Sequence, residues 1–172
     1  MAGREKSFGG RYRLVCVGGT FDQLHKGHET LLRAAASLGK RVVVGLCSDE
    51  MAEKEKNYRV QPFEKRRRKL EVFLAKVAGG RFKVVRISDT LGSAKDMEEL
   101  EAIVVSPQTL RGALMINHAR RRRGLQPLDI VVVRLVVDDM GRVLSSTRIR
   151  RLLEQNQGKE VTPKPWGEKA LK

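Results

Sequence analysis

Leu14-Val15-Cys16-Val17-Gly18-Gly19-Thr20-Phe21-Asp22-Gln23-Leu24-His25-Lys26-Gly27-His28 is the stretch on which the fold turns. Four apolar residues run into two glycines, as a buried strand does where it ends in a turn that lets a ligand approach the backbone. Thr20 adds a hydroxyl. His25 and His28 bracket Gly27 where a helical pattern begins and continues to Leu38. A helix start offers free backbone N–H groups that favour anions, and two imidazoles placed there suit a phosphate whose charge grows during a reaction.

Outward from this turn, apolar β-branched runs recur at 13–19, 41–47, 82–87, 102–106 and 129–137, separated by segments of helical character. Such alternation predicts an α/β fold: a doubly wound parallel sheet of five strands with helices on both faces, and ligands at the carboxyl ends of the strands. The first helix is expected over 27–38, closed by Gly39 as a left-handed cap. The second starts at Pro62 and carries Phe63, Leu70, Phe73, Leu74 and Val77 before Gly79-Gly80. Ser106-Pro107 reads as the cap and first residue of a helix ending near Gly124. A last helix starts at Ser145 to Thr147 and includes Ile149, Leu152 and Leu153. After Asn156 the pattern fades into polar sequence with Pro163 and Pro165, so the chain reads as one domain, 1–156, with a flexible basic tail, 157–172.

The chain has 172 residues, 41% hydrophobic, enough for one domain with a core. No apolar run approaches the roughly 18 residues of a membrane span, and the polar first residues lack a signal-peptide core, so the expectation is a cytoplasmic protein. Cys16 and Cys47 read as buried free thiols; their strands could be neighbours, which leaves a disulfide geometrically conceivable. There is no Cys-x-x-Cys or His-Glu-x-x-His, so no protein-bound metal is expected. The formal net charge of +15 asks for a polyanionic partner or a very basic surface, and arginines such as Arg120 to Arg123 at a helix C-terminus suit ordinary solvated surface. Aromatics make up only 5% and form no stacking platform, so phosphorylated small molecules suit the charge better than nucleic acid does.

Neither a Walker A run nor Gly-x-Gly-x-x-Gly occurs. A second anion motif does: Ser145-Ser146-Thr147-Arg148-Ile149-Arg150-Arg151, with hydroxyls at a helix start followed by arginines where acids belong. Cations at that end cost about 0.3 to 1 kcal/mol each unless an anion sits among them, which marks a phosphate site. Lys54 and Lys56, in a charged loop after the second strand, are both placed to clamp a phosphate at the ligand edge.

The His-x-Gly-His turn and the distal Ser-Ser-Thr-x-x-Arg helix start, in this order, resemble the nucleotidyltransferase superfamily and its Rossmann-like fold. Ser48-Asp49-Glu50-Met51 with the lysines, Gln61 to Arg66, and Val104 to Thr109 followed by Asn117 and Arg120 resemble archaeal phosphopantetheine adenylyltransferases over about residues 13–153. The resemblance implies transfer of AMP from ATP, with Mg2+, to 4′-phosphopantetheine, giving dephospho-coenzyme A and pyrophosphate. It implies that Gly19, Thr20, Phe21, His25, His28 and Ser145, Ser146, Thr147, Arg148 bind the nucleotide. His28, Thr20, Lys54 and Arg148 would carry the reaction, and Lys54 or Lys56 with Thr109, Asn117 and Arg120 would meet the acceptor. Asp89 to Ala94 departs from the more aromatic, proline-containing form expected in relatives. Alternatives are a related enzyme using glycerol phosphate, FMN or nicotinamide mononucleotide as acceptor, and a basic nucleic-acid-binding domain.

Overall fold

The computed structural model describes residues 10–56 and 58–134. Within them lie five strands, β1 (Tyr12–Gly19), β2 (Gly39–Cys47), β3 (Phe82–Ile87), β4 (Ala102–Val105) and β5 (Asp129–Val132). They form one parallel sheet in the order β3-β2-β1-β4-β5. Strand order reverses between β1 and β4, so the crevice beyond their carboxyl ends is the place where an open α/β sheet binds its ligand. The four helices are α1 (Lys26–Leu38), α2 (Asp49–Glu55), α3 (Phe63–Ala78) and α4 (Leu110–Arg122), with a 3-10 turn at Gly92–Lys95. The Ser145 to Arg151 motif, the last helix and the 157–172 tail lie outside the described residues.

The pleat divides the core between two faces, because successive side chains of a strand point to opposite sides. Val15 and Val17 of β1, with Val42, Val44 and Leu46 of β2, pack against Leu32 and Ala35 of α1 and Leu70 and Leu74 of α3. Their neighbours Leu14, Cys16 and Val43 face the other way, with Ile103 and Val105, onto Ala113 and Ile116 of α4. Burial on both faces explains why the strands read as continuous apolar runs. No helix among the described residues is long and apolar enough to cross a membrane, and both cysteines are free and buried.

Three expectations are corrected. Gly39 is not a left-handed cap: at φ −102° and ψ 138° it is already extended and opens β2. Its lack of a side chain serves space, since a Cβ there would stand 3.0 Å from a Val15 methyl and 2.7 Å from the Arg41 carbonyl oxygen. Ser106-Pro107 does not start α4, which begins at Leu110 with Thr109 as its cap residue. The Thr109 hydroxyl accepts the Ser106 N–H at 3.0 Å and closes a separate turn first. Finally, the segment after β2 is no open loop but the helix α2, capped by Ser48, whose hydroxyl accepts the Met51 N–H at 3.2 Å. Both acids of its first turn, Asp49 and Glu50, suit the positive end of a helix.

Candidate active site

β1 ends at Gly19 and the chain turns sharply before α1. Phe21 and Gln23 both take positive φ, 47° and 48°, a conformation that L side chains adopt only when surroundings enforce it. Two contacts do so. The Phe21 ring is buried and lies over Gly19, where a Cβ would come within 3.2 Å of it. Between the two strained residues, the fully buried Asp22 carboxylate accepts the Gln61 N–H at 3.0 Å.

The turn delivers His25 to the cap position of α1, where its Nδ1 accepts the Gly27 N–H at 3.1 Å. A neutral imidazole that accepts at Nδ1 carries its hydrogen on Nε2, so His25 keeps one donor free. The His28 ring stacks on it, centroids 3.8 Å apart, and meets the Phe21 ring edge-on at 5.2 Å. Buried His28 Nδ1 has no hydrogen-bond partner among the described residues. Burial pushes the His25 pKa down to about 4, against the pull of Glu29 and with the help of Lys56. It pushes His28 to about 3, assisted by the facing His25 and again by Lys56. Both rings are therefore neutral at physiological pH, available as hydrogen-bond donors rather than as fixed charges.

The two lysines part company. Lys56 is half-buried and is the lysine whose charge bears on both imidazoles. Lys54, exposed in the last turn of α2, lines an open cleft of about 550 Å³ with Ser48, Glu50, Met51, Glu55, Ser88, Asp89 and Thr90. Thr90 also lines a smaller apolar pocket of about 60 Å³ beneath the 3-10 turn. Gly18 and Gly45, paired across β1 and β2, form its floor beside Val85, Ile87 and Met97.

Phe21, His25 and His28 are thus brought together in the turn that Thr20 opens, with Lys56 close enough for its charge to bear on both imidazoles and Lys54 lining the neighbouring cleft. Asn117 and Arg120 both lie on α4, and the hydrogen bonds they make run to the chain's own backbone. The buried Asn117 amide donates to the Leu128 carbonyl at 2.9 Å and accepts the Leu128 N–H at 2.7 Å, so both its ends bind the approach to β5. Arg120, also buried, donates to the carbonyls of Ala94, Met97 and Gln126 and anchors the 3-10 turn. Thr109 is engaged with Ser106. Among the described residues no cluster of three or more His, Cys, Asp or Glu side chains could hold a metal ion.

Sequence reasoning gave Arg66 and Asp22 no part of their own in the site. Arg66 sits inside the basic run Lys65 to Lys69 and closes the stretch Gln61 to Arg66 that carries part of the resemblance. Its place three residues after Phe63 and four before Leu70 puts it on the apolar face of α3, and that spacing was the available signal.

A parallel α/β sheet with a His-x-Gly-His helix start at its switch point defines a small-molecule nucleotidyltransferase, and the cytidylyltransferase-like family model matches residues 16–152. A phosphopantetheine adenylyltransferase of Methanopyrus kandleri is 47% identical over 141 residues, 81% of this chain and 90% of the relative. One from Thermococcus kodakarensis is 45% identical over 142 residues, 81% of this chain and 86% of the relative. Among solved structures, a protein of unknown function from Archaeoglobus fulgidus aligns with a TM-score of 0.64 and 35% identity, covering 69% of this chain and 87% of its own. Within the cytidylyltransferase-like proteins, this chain belongs to the archaeal phosphopantetheine adenylyltransferase family.

Proposed function

We propose that the chain transfers AMP from ATP to 4′-phosphopantetheine, releasing pyrophosphate and forming dephospho-coenzyme A. The observation that carries the reading is the pair of stacked neutral imidazoles at the start of α1, with His25 Nδ1 committed to the helix cap and its Nε2–H left free. The similarity to adenylyltransferases over four-fifths of the chain supports it.

The acceptor is a phosphate monoester with a second pKa of about 6, so at neutral pH it is already a dianionic nucleophile and needs no general base. An oxygen of that phosphate attacks the α-phosphorus of ATP, forming the new P–O–P bond. The bond from the α-phosphorus to the bridging oxygen breaks, and the electron pair leaves with pyrophosphate. Catalysis then rests on aligning two anions and on donors aimed at the charge that develops. Thr20 orients the acceptor phosphate, His28 donates to the α-phosphate, Lys54 and Lys56 offset the acceptor's charge, and Arg148 with Ser145 to Thr147 receives the leaving group. Mg2+ enters with ATP as part of the substrate, shielding its phosphates. The setting is the cytoplasm, a reducing compartment in keeping with two free thiols.

The neighbouring cavities favour pantetheine among possible acceptors. The open cleft that Lys54 lines shares Thr90 with the apolar pocket, a continuous path that suits a phosphate held by the lysine and followed by a long uncharged arm. Glycerol phosphate is too short to use both. The test is pyrophosphate release with Mg2+ and ATP, comparing phosphopantetheine with glycerol phosphate, FMN and nicotinamide mononucleotide. Release with phosphopantetheine alone is expected; release with another acceptor keeps the chemistry and overturns the substrate, and silence with all overturns the transfer reading.

A further inference from the structure

Arg66 is the one residue of the basic run Lys65 to Lys69 whose side chain is wholly buried. Its guanidinium is used on every nitrogen. Nε donates to the Gln61 carbonyl at 2.7 Å, Nη1 to the carbonyls of Thr20 at 2.8 Å and Cys47 at 2.9 Å, and Nη2 to the Asp49 carboxylate at 2.6 Å. The Phe63 ring lies 5.7 Å from its centre.

These acceptors belong to four different pieces of the site. Thr20 opens the turn after β1, Cys47 ends β2, Asp49 opens α2, and Gln61 lies in the loop before α3, where its own N–H is bound by Asp22. The histidines hang from the first piece. Lys54 rides on the third, with Lys56 directly after it. The distance between the donors proposed for the nucleotide and the cations proposed for the acceptor is therefore bridged by one buried planar group. Burial works against the Asp49 charge, but the hydrogen bond from Arg66 and a backbone N–H of Phe63 outweigh it and hold the carboxyl below its ordinary range. The link to α2 accordingly stays ionic at neutral pH.

We propose that Arg66 is a positioning residue of the transfer reaction: without touching either substrate, it fixes the Thr20–His28 turn against the Lys54–Lys56 segment so that the two phosphates meet in line. This rests on the transfer reading above. A lysine keeps the charge but not the fork, and one ammonium cannot reach four acceptors spread around a plane. An error of about 1 Å in such alignment costs on the order of a hundredfold in rate.

The test compares Arg66→Lys, Asp49→Asn and, as a control on the solvent face of α3, Arg67→Lys, each checked for an intact fold by thermal melting and gel filtration. Arg66→Lys is expected to lower kcat by about tenfold to a hundredfold with little change in the KM for ATP. Asp49→Asn leaves the three carbonyl bonds in place and removes the ionic part of the link to α2, so it is expected to raise the acceptor KM several-fold while the ATP KM stays within about twofold. The control keeps wild-type constants. A role confined to stability moves the melting point and leaves these ratios alone. Folded Arg66→Lys with wild-type kcat, or Asp49→Asn with an unaltered acceptor KM, overturns the proposal. A wild type silent with every acceptor is a separate result, which overturns the transfer reading and this proposal with it.

Discussion

Acidification should destabilise this protein through its histidine pair, and the amount follows from the geometry. In the folded chain burial holds His25 near pKa 4 and His28 near 3. Unfolded, each would titrate at about 6.5. The unfolded state therefore binds more protons as pH falls, so stability that is complete above pH 6.5 is lost progressively down to the folded pKa values. For a group with those constants the loss between pH 8 and pH 5 is about 2 kcal/mol. His28 is taken at that value, and His25, which keeps some solvent contact, at about half of it. Urea unfolding at the two pH values, on the wild type and on a His25→Asn/His28→Gln double variant, isolates the pair because the carboxylates contribute equally to both. The wild type should lose about 3 kcal/mol more than the variant. Equal losses in the two proteins would refute the claim that both rings are held neutral by burial.

Other consequences concern catalysis and packing. His28→Ala should lower kcat by about a hundredfold to a thousandfold with the fold retained, the usual cost of removing one donor to developing charge, measured by steady-state pyrophosphate release. Lys56→Ala should raise the His25 and His28 pKa values, since its charge depresses both, whereas Lys54→Ala should leave them unchanged; imidazole NMR titration reads this directly. Gly18→Ala should raise the acceptor KM several-fold and spare the ATP KM. Its methyl meets Gly45 O at 3.7 Å and an Ile87 methyl at 3.9 Å, ordinary contacts that let the strand persist while the pocket fills. Asn117→Ala should cost about 2 to 4 kcal/mol in denaturant melts, because it strands a buried N–H and a buried carbonyl of Leu128, yet leave acceptor KM unchanged in the folded fraction.

The parts of the fold legible in the sequence were those set by short-range pattern. Val15 and Val17 alternate with Leu14 and Cys16 across a sheet covered on both sides, which makes a run such as Leu14 to Val17 read as a strand without revealing which residue faces which helix. His25 and His28 were legible because a helix start is encoded within a few residues. Asn117 and Arg120 were not, since their partners Leu128, Ala94 and Met97 are brought to them only by the crossover around α4. Gly39 shows the same limit: a glycine after a helix suggests a left-handed cap, and only the approach of Val15 reveals that room was the requirement.

The basic composition has an architectural source that a net charge conceals. Arg66 gathers carbonyls at the ends of β1 and β2, Arg120 those of Ala94 in the 3-10 turn and Met97 just after it, and Arg81 those of Ala36, Gly39 and Lys40 where α1 passes into β2. Each gathers carbonyl groups near the ends of strands and helices, and a guanidinium, with five donors and no acceptor, satisfies several at once. Lysine in such a place would serve fewer of them, and a carboxylate none. A +15 chain therefore does not require fifteen charges aimed at a polyanion, because some of its arginines complete the backbone's own hydrogen bonding. What separates ligand-directed cations from these is the partner: Lys54 lines an open cleft, Lys56 bears on the imidazoles, and the three arginines face carbonyls of the chain itself.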